Sequence, residues 1–126
     1  MKVINDLLGY ENLKIVQDDE GFCFSLDSVL LANFVSIKKD ARKLLDLGSG
    51  SAPMPLIIAH KYIKKDLIIY GIELQKQIYE MAVESVRLNN LDDKITLIND
   101  DIKELNKHFS FGSFDVIISN PPYFKV

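Results

Sequence analysis

The stretch that decides the fold is Leu44-Leu45-Asp46-Leu47-Gly48-Ser49-Gly50-Ser51-Ala52-Pro53. Its first four residues form an aliphatic run typical of a buried strand, and a helix is predicted to follow from Pro55. Gly48 and Gly50 permit backbone conformations and a close ligand approach that a Cβ would block. The stretch therefore predicts a strand-to-helix turn that receives a nucleotide-like ligand.

Short aliphatic runs alternate with amphipathic stretches along the chain. Four runs, over residues 44–47, 67–72, 95–98 and 114–118, are apolar on both faces, as buried parallel strands are. Helices are predicted over residues 55–62 and 75–89; in the second, one face carries Ile78, Met81, Ala82, Ser85, Val86 and Asn89. This alternation predicts an α/β fold, a doubly wound and mostly parallel sheet with right-handed crossovers and helices on both faces.

Residues 1–40 do not follow this alternation. Extended segments over residues 13–17 and 21–24 flank three acidic residues, which predicts a hairpin. A helix is expected next, capped by Ser25 or Asp27. We interpret residues 1–40 as an amino-terminal hairpin and helix added to the sheet, and residues 41–126 as the ligand-binding part.

The composition is that of one folded domain. The chain has 126 residues, of which 48% are hydrophobic and 26% charged. Cys23 is the only cysteine, which excludes a disulfide framework and a cysteine-rich zinc site. No run approaches the ~20 apolar residues of a membrane span, and residues 1–6 lack the apolar core of a signal peptide. We expect a cytoplasmic protein that binds neither metal nor membrane.

The charges are distributed unevenly. A net charge of −3 argues against a protein that coats nucleic acid through bulk charge. Residues 36–70 nevertheless carry seven basic and three acidic groups. The basic groups form two clusters, one of Lys38, Lys39, Arg42 and Lys43, the other of Lys61, Lys64 and Lys65. These clusters either flank a polyanion or keep the strand entries soluble, and the sequence leaves both interpretations open.

The acidic residues near the glycine turn indicate the type of ligand. Pro53 occupies the third glycine position of a dinucleotide fingerprint, which disfavours a nicotinamide dehydrogenase. Asp46 suits a ligand that carries positive charge, and S-adenosylmethionine has a sulfonium, an ammonium and no phosphate. Glu73 ends the second strand, where a carboxylate can accept both hydrogens of a ribose diol. A purely structural turn and a solvated glutamate are the alternatives.

A second motif follows the fourth strand at the same edge of the sheet. Its residues are Asn120-Pro121-Pro122-Tyr123. The prolines stiffen the chain and remove two backbone donors. The carbonyl oxygens of the Asn120 side chain and the Pro121 main chain can accept the two hydrogens of a planar amine, and Tyr123 can stack on a heteroaromatic ring. This corner predicts methyl transfer to an amino nitrogen, with positioning as the main catalytic effect.

Residues 46–52 resemble the glycine-rich motif of class I S-adenosylmethionine-dependent methyltransferases. The motif at 120–123 resembles that of the members that methylate amino groups of adenine, cytosine or glutamine. The resemblance implies a Rossmann-like methyltransferase fold with Asn120, Pro121, Pro122 and Tyr123 in the catalytic corner and Asp46, Gly48, Gly50, Glu73 and Asp101 on the cofactor. Asp101 would face the adenine amino group, and its neighbour Asp100 would be solvated.

Residues 17–32 resemble the amino-terminal stretch of bacterial tRNA methyltransferases that modify the 6-amino group of an adenine beside the anticodon of valine tRNA. This second resemblance implies a tRNA substrate. The basic clusters are then candidate phosphate contacts.

The resemblance also implies that strands are missing. The family's sheet has seven strands, whereas four parallel ones are predicted here. Residues 41–126 are therefore expected to form the amino-terminal half of the cofactor-binding domain, and the 126-residue piece to have little activity alone. A protein-glutamine methyltransferase and a non-catalytic cofactor- or RNA-binding fragment remain alternatives, and the sequence does not indicate an oligomeric state.

Overall fold

A computed structural model of the chain describes residues 1–7, 10–18, 26–110 and 112–119. The strands are β1 Lys2–Leu7, β2 Tyr10–Asp18, β3 Lys43–Leu47, β4 Ile68–Glu73, β5 Ile95–Asn99 and β6 Val116–Ser119. The α-helices are α1 Leu26–Phe34, α2 Pro53–Lys61 and α3 Lys76–Leu88, and a 3-10 helix spans Ile102–Lys107. None of the helices in these ranges is long and apolar enough to cross a membrane.

The four predicted parallel strands form one sheet. Their order is β5-β4-β3-β6, and every neighbouring pair is parallel. The chain steps outward from β3 to β4 and β5, and then returns to the other side of β3 as β6. The strand order therefore reverses at β3, where open α/β sheets bind ligands beyond the carboxyl ends of their strands. The predicted α/β fold class is confirmed.

In the described part of the chain, the α-helices of the two crossovers from β3 to β5 lie on one face of the sheet. The β3–α2–β4 and β4–α3–β5 connections step in the same direction, and right-handed crossovers therefore place α2 and α3 on one face. Leu44 and Ile69 face these helices in the main core. Tyr70 points to the opposite face, where its ring contacts Phe109 and Phe114 at 5.0 and 5.7 Å. The connection from β5 to β6 leads to the face of Tyr70, and the helix in its described part is a 3-10 helix.

Burial on both faces is confirmed for the central strand but not for the outer ones. Leu44 and Leu45, neighbours on β3, are both fully buried. On the outer strands, Thr96 of β5 is exposed and Ile117 of β6 is 59% exposed. Within the described residues β5 and β6 are the edges of the sheet, and these two side chains point away from α2 and α3.

The amino-terminal hairpin uses a different partner from the predicted one. The predicted segment 13–17 lies within β2, but β2 pairs antiparallel with β1. The predicted partner, residues 21–24, lies outside the described residues. The hairpin forms its own two-stranded sheet and packs on α3.

Side chains of α3 hold the free edge of β2. The Ser85 hydroxyl accepts a hydrogen bond from the backbone N–H of Val16 at 2.7 Å. The Asn89 amide accepts from the N–H of Lys14 at 2.9 Å and donates to the Lys14 carbonyl at 2.7 Å. These bonds satisfy backbone groups that an edge strand otherwise leaves open.

Candidate functional site

The glycine turn after β3 adopts a left-handed backbone at alternate positions. The φ angles of Gly48, Gly50 and Ala52 are 72°, 59° and 71°. The Gly48 and Ser49 N–H groups both donate to the Ile72 carbonyl at 3.0 Å, which fixes the turn on the end of β4. A Cβ built at either glycine meets no atom within 4 Å, so the turn is open on that side. Because the turn closes at Ala52, α2 begins at Pro53 rather than at the predicted Pro55.

Glu73 connects the glycine turn to the start of α3. One carboxylate oxygen accepts from the Gly50 N–H at 3.0 Å, and the other accepts from the Gln75 N–H at 2.8 Å. Each carboxylate oxygen can accept more than one hydrogen bond. The half-buried side chain can therefore keep these contacts while it accepts a ribose hydroxyl, and that ribose contact stays a prediction.

Asp46 places a buried acidic group beneath the turn. Its register partners are Gly71 on β4 and Ile118 on β6, and it is 2% exposed. Burial, and after it the negative charge of Glu73, raises the pKa of Asp46 from 3.8 to about 8. A cation beside these two carboxyl groups would favour the ionised form of Asp46. The acidic pair and the open turn suit a ligand that carries a positive charge.

Gly71 of β4 lies directly beneath the glycine turn. The sequence placed it in a strand but did not indicate this contact with the turn. A Cβ at position 71 would lie 2.8 Å from Leu97 Cδ2 and 2.8 Å from both Cβ and Oγ of Ser49. The Ser49 hydroxyl is buried and has no hydrogen-bond partner within the described residues. The turn therefore rests on bare backbone of β4.

We expect Gly71→Ala to lower the free energy of unfolding by about 1–3 kcal/mol, as overpacking of a tight contact does. It should also weaken the binding of S-adenosylhomocysteine, because Ser49 must move. Urea unfolding and calorimetric titration measure the two effects. Adding Ser49→Gly removes two of the three clashing atoms and should recover part of both losses. Wild-type stability in Gly71→Ala would contradict this interpretation.

Asp100 and Asp101, the acidic residues that follow β5, both form hydrogen bonds within the protein. Asp101 accepts a hydrogen bond from the Lys103 N–H at 3.0 Å and so caps the 3-10 helix. Asp100, predicted to be solvated, keeps about a third of its side chain exposed while it bonds to His108 Nε2 at 2.8 Å and accepts from the Asp101 N–H at 2.8 Å. The bond from His108, followed by that from the Asp101 backbone, lowers the pKa of Asp100. The contact of Asp101 with an adenine amino group stays a prediction.

Two exposed apolar side chains follow the predicted cofactor-binding acids. Leu74 comes directly after Glu73 and is 64% exposed, and Ile102 comes directly after Asp101 and is 47% exposed. Both lie at the carboxyl edge of the sheet, where they can contact a flat ring. Neither residue was predicted from the sequence, although an apolar residue after an acidic strand end was a usable signal.

The predicted catalytic residues Asn120, Pro121, Pro122 and Tyr123 lie outside the described residues. The strand that leads to them is described. Ser119 is in register with Leu47, and its hydroxyl donates to the Leu47 carbonyl at 3.2 Å. The residues that precede Asn120 and Gly48 in the sequence therefore lie side by side at the ends of neighbouring strands.

The family model described as methyltransferase small domain matches residues 24–125. The chain belongs to the methyltransferase small domain family. The match includes the glycine turn and the strand leading to Asn120. It confirms the predicted resemblance to methyltransferases.

Relatives of this methyltransferase small domain include two curated bacterial proteins named tRNA1(Val) (adenine(37)-N6)-methyltransferase. That of Mannheimia succiniciproducens is 34% identical over 99 residues, 79% of this chain and 39% of the relative. That of Actinobacillus pleuropneumoniae is 30% identical over 115 residues, 91% of this chain and 47% of the relative. The chain thus spans less than half the length of these relatives.

A solved structure supports the fold of this methyltransferase small domain. The structure titled delta-N METTL16 MTase domain matches with a TM-score of 0.73 and 22% identity, over 89% of this chain and 53% of that one. The likeness confirms the predicted Rossmann-like methyltransferase fold.

The basic clusters of this methyltransferase small domain lie at the opposite edge of the sheet from the glycine turn, since one leads into the start of β3 and the other precedes β4. Several of their charges are engaged with the protein. The Lys65 ammonium donates to the Lys39 carbonyl, and Arg42 pairs with Asp66 at 2.8 Å. A role in binding phosphate therefore stays a prediction.

Proposed function

We propose that this protein transfers a methyl group from S-adenosylmethionine to the 6-amino group of an adenine in tRNA. The observation that carries the proposal is the alignment of Leu47 with Ser119. It brings Leu47 and Ser119, which directly precede the glycine turn and the Asn-Pro-Pro-Tyr motif in the sequence, to the same end of the sheet. The names of the curated relatives support the choice of tRNA adenine.

The described residues fit the proposed cofactor. Asp46 and Glu73 supply negative charge for its cationic groups, and Gly48 and Gly50 leave the turn open for its approach. The exposed side chain of Leu74 offers an apolar surface to its adenine ring. When bound, S-adenosylmethionine supplies an electrophilic methyl group on a sulfonium.

The predicted corner orients the acceptor. The Asn120 amide oxygen and the Pro121 carbonyl accept hydrogen bonds from the substrate's amino group, which turns the nitrogen lone pair toward the donor. No strong base is needed, because the nitrogen becomes acidic as it is methylated and its proton passes to water. An adenine must leave its stack to reach such a corner, and Tyr123 offers it a ring to stack on. Since tRNA is the proposed partner, we infer a cytoplasmic location.

Transfer of labelled methyl groups tests the proposal. The protein is expressed from its natural reading frame, with any sequence that follows Val126, and is incubated with labelled S-adenosylmethionine, tRNA and a cell protein extract. The label is expected in tRNA and, after digestion to nucleosides, in N6-methyladenosine. Label in protein glutamine would instead identify the alternative acceptor, and unlabelled tRNA would refute the proposal.

A non-catalytic cofactor- or RNA-binding role, which the sequence leaves open, is the second candidate. The 126-residue chain is titrated with S-adenosylhomocysteine and assayed on tRNA. This second candidate would be favoured if the chain binds S-adenosylhomocysteine while neither it nor the protein with any sequence that follows Val126 transfers a methyl group.

A further inference from the structure

The Asn99 side chain forms two hydrogen bonds that the sequence did not indicate. It ends β5 in register with Glu73 on β4. Its side-chain Nδ2 donates to the Glu73 carbonyl at 2.9 Å and to the Leu74 carbonyl at 3.1 Å. The backbone N–H of Asp100 donates to the same Glu73 carbonyl at 3.2 Å. A single amide nitrogen thus fixes two successive peptide groups.

The turn fixed by Asn99 carries two residues of the candidate cofactor site. The Glu73 carboxylate holds the Gly50 and Gln75 N–H groups, and the Leu74 side chain extends into solvent. The peptide group between Glu73 and Leu74 borders both residues, so its orientation affects the direction of both side chains. Asn99 is itself exposed, so its burial contributes little to the core.

We propose that Asn99 is a positioning residue that orients Glu73 and Leu74 toward the adenosine part of the cofactor without touching it. The role rests on the proposed cofactor site. It requires a side chain that presents two donor hydrogens on one nitrogen, which asparagine does. An aspartate of the same shape would face the two carbonyl oxygens with no hydrogen to donate.

Substitution separates positioning from a plain structural role. Asn99→Asp should weaken S-adenosylhomocysteine binding about tenfold at neutral pH, the loss expected for one or two net hydrogen bonds. Near pH 5, where part of the introduced carboxyl is protonated, its urea midpoint should shift no more than that of Asn99→Ala. The matched control is Asn106→Ala, which alters an exposed asparagine on the 3-10 helix and should leave affinity unchanged.

The pH dependence of Asn99→Asp supplies a readout that a merely structural role would not produce. Facing two carbonyl oxygens raises the pKa of the introduced carboxyl. Near pH 5 its protonated fraction donates one hydrogen bond, so the deficit relative to wild type should shrink several-fold. Asn99→Ala has no such group, and its deficit should stay constant with pH.

Hydrogen exchange makes the test independent of ligand binding. In Asn99→Asp the amides of Leu74 and Gln75 should exchange faster than in wild type, and in Asn106→Ala they should not. Wild-type protein that fails to bind S-adenosylhomocysteine would refute the cofactor site, and the exchange rates would still decide whether Asn99 holds the turn. Wild-type affinity in Asn99→Asp, unchanged exchange, or a deficit that does not vary with pH would overturn the proposal.

Discussion

Replacing Asp46 with asparagine is expected to stabilise the free protein at pH 8 by at most about 5 kcal/mol, because each pKa unit between the folded and unfolded values is worth about 1.4 kcal/mol. In the folded protein burial raises the pKa of Asp46 from 3.8 to about 8. Between these values the unfolded chain has released the proton that the folded protein retains. The stability contributed by this proton is complete below about pH 4 and is lost as the pH rises to about 8.

Asparagine cannot ionise, so Asp46→Asn should remove this decline. Urea unfolding at several pH values between about 5 and 9 measures it. Asp115→Asn is the matched control with the opposite sign. The pKa of Asp115 is lowered by hydrogen bonds from the Arg42 and Lys43 backbone. Its carboxylate therefore stabilises the protein at pH values above the ordinary Asp pKa, and Asp115→Asn should be less stable than wild type there. If the Asp46→Asn variant is less stable than wild type at pH 8, a raised pKa of Asp46 is refuted.

The same substitution should weaken the binding of a cationic ligand. Asp46 must ionise to pair with the ligand, so binding below pH 8 should release protons from wild type. Titration of S-adenosylmethionine in two buffers of different ionisation enthalpy measures this release. We expect the proton release to vanish in Asp46→Asn. The affinity for the ligand should fall at least tenfold, a ratio that corresponds to one pKa unit of charge interaction. Equal proton release in both proteins would contradict the assignment.

Asn120→Ala should lower kcat for tRNA methylation by about 10²–10³, the range observed when one preorganised hydrogen-bonding group is removed from an active site. The affinity for S-adenosylhomocysteine should be unchanged, because Asn120 is assigned to the amine and not to the cofactor. The assay uses the protein with any sequence that follows Val126.

Asn106→Ala serves again as the control and should retain full activity. Undiminished transfer in Asn120→Ala would remove this residue from the mechanism. An equal loss in affinity for S-adenosylhomocysteine would place Asn120 on the cofactor side of the site.

Local patterns in the sequence predicted the strands that carry the site. β3 has buried side chains on both faces, which gives it a continuous aliphatic run, and Gly48 and Gly50 mark its end. β1 had no such signal, since Leu7 is its only buried residue and Ile4 is 57% exposed. That strand is defined by backbone pairing with β2. Strand order, which places α2 and α3 on one face, is likewise a property of the whole sheet.

The same distinction applies to the candidate site. Asp46 and Glu73 could be selected because each stands at or near a strand end. Gly71 and Asn99 could not, because the first matters through its contact with Ser49 and the second through carbonyl groups on the neighbouring strand. The start of α2 was misplaced by two residues for a related reason. It depends on the left-handed backbone of Ala52, a conformation that alanine rarely adopts.

The position of β6 beside β3 sets an order of assembly. Paired residues of β3 and β4, such as Leu44 and Ile69, are 25 apart in the sequence, whereas Ser119 meets Leu47 across 72 residues. Closing so long a segment costs more chain entropy than forming the local units does. We therefore expect the glycine turn and the β4 support beneath it to form before the strand leading to Asn120 pairs with β3.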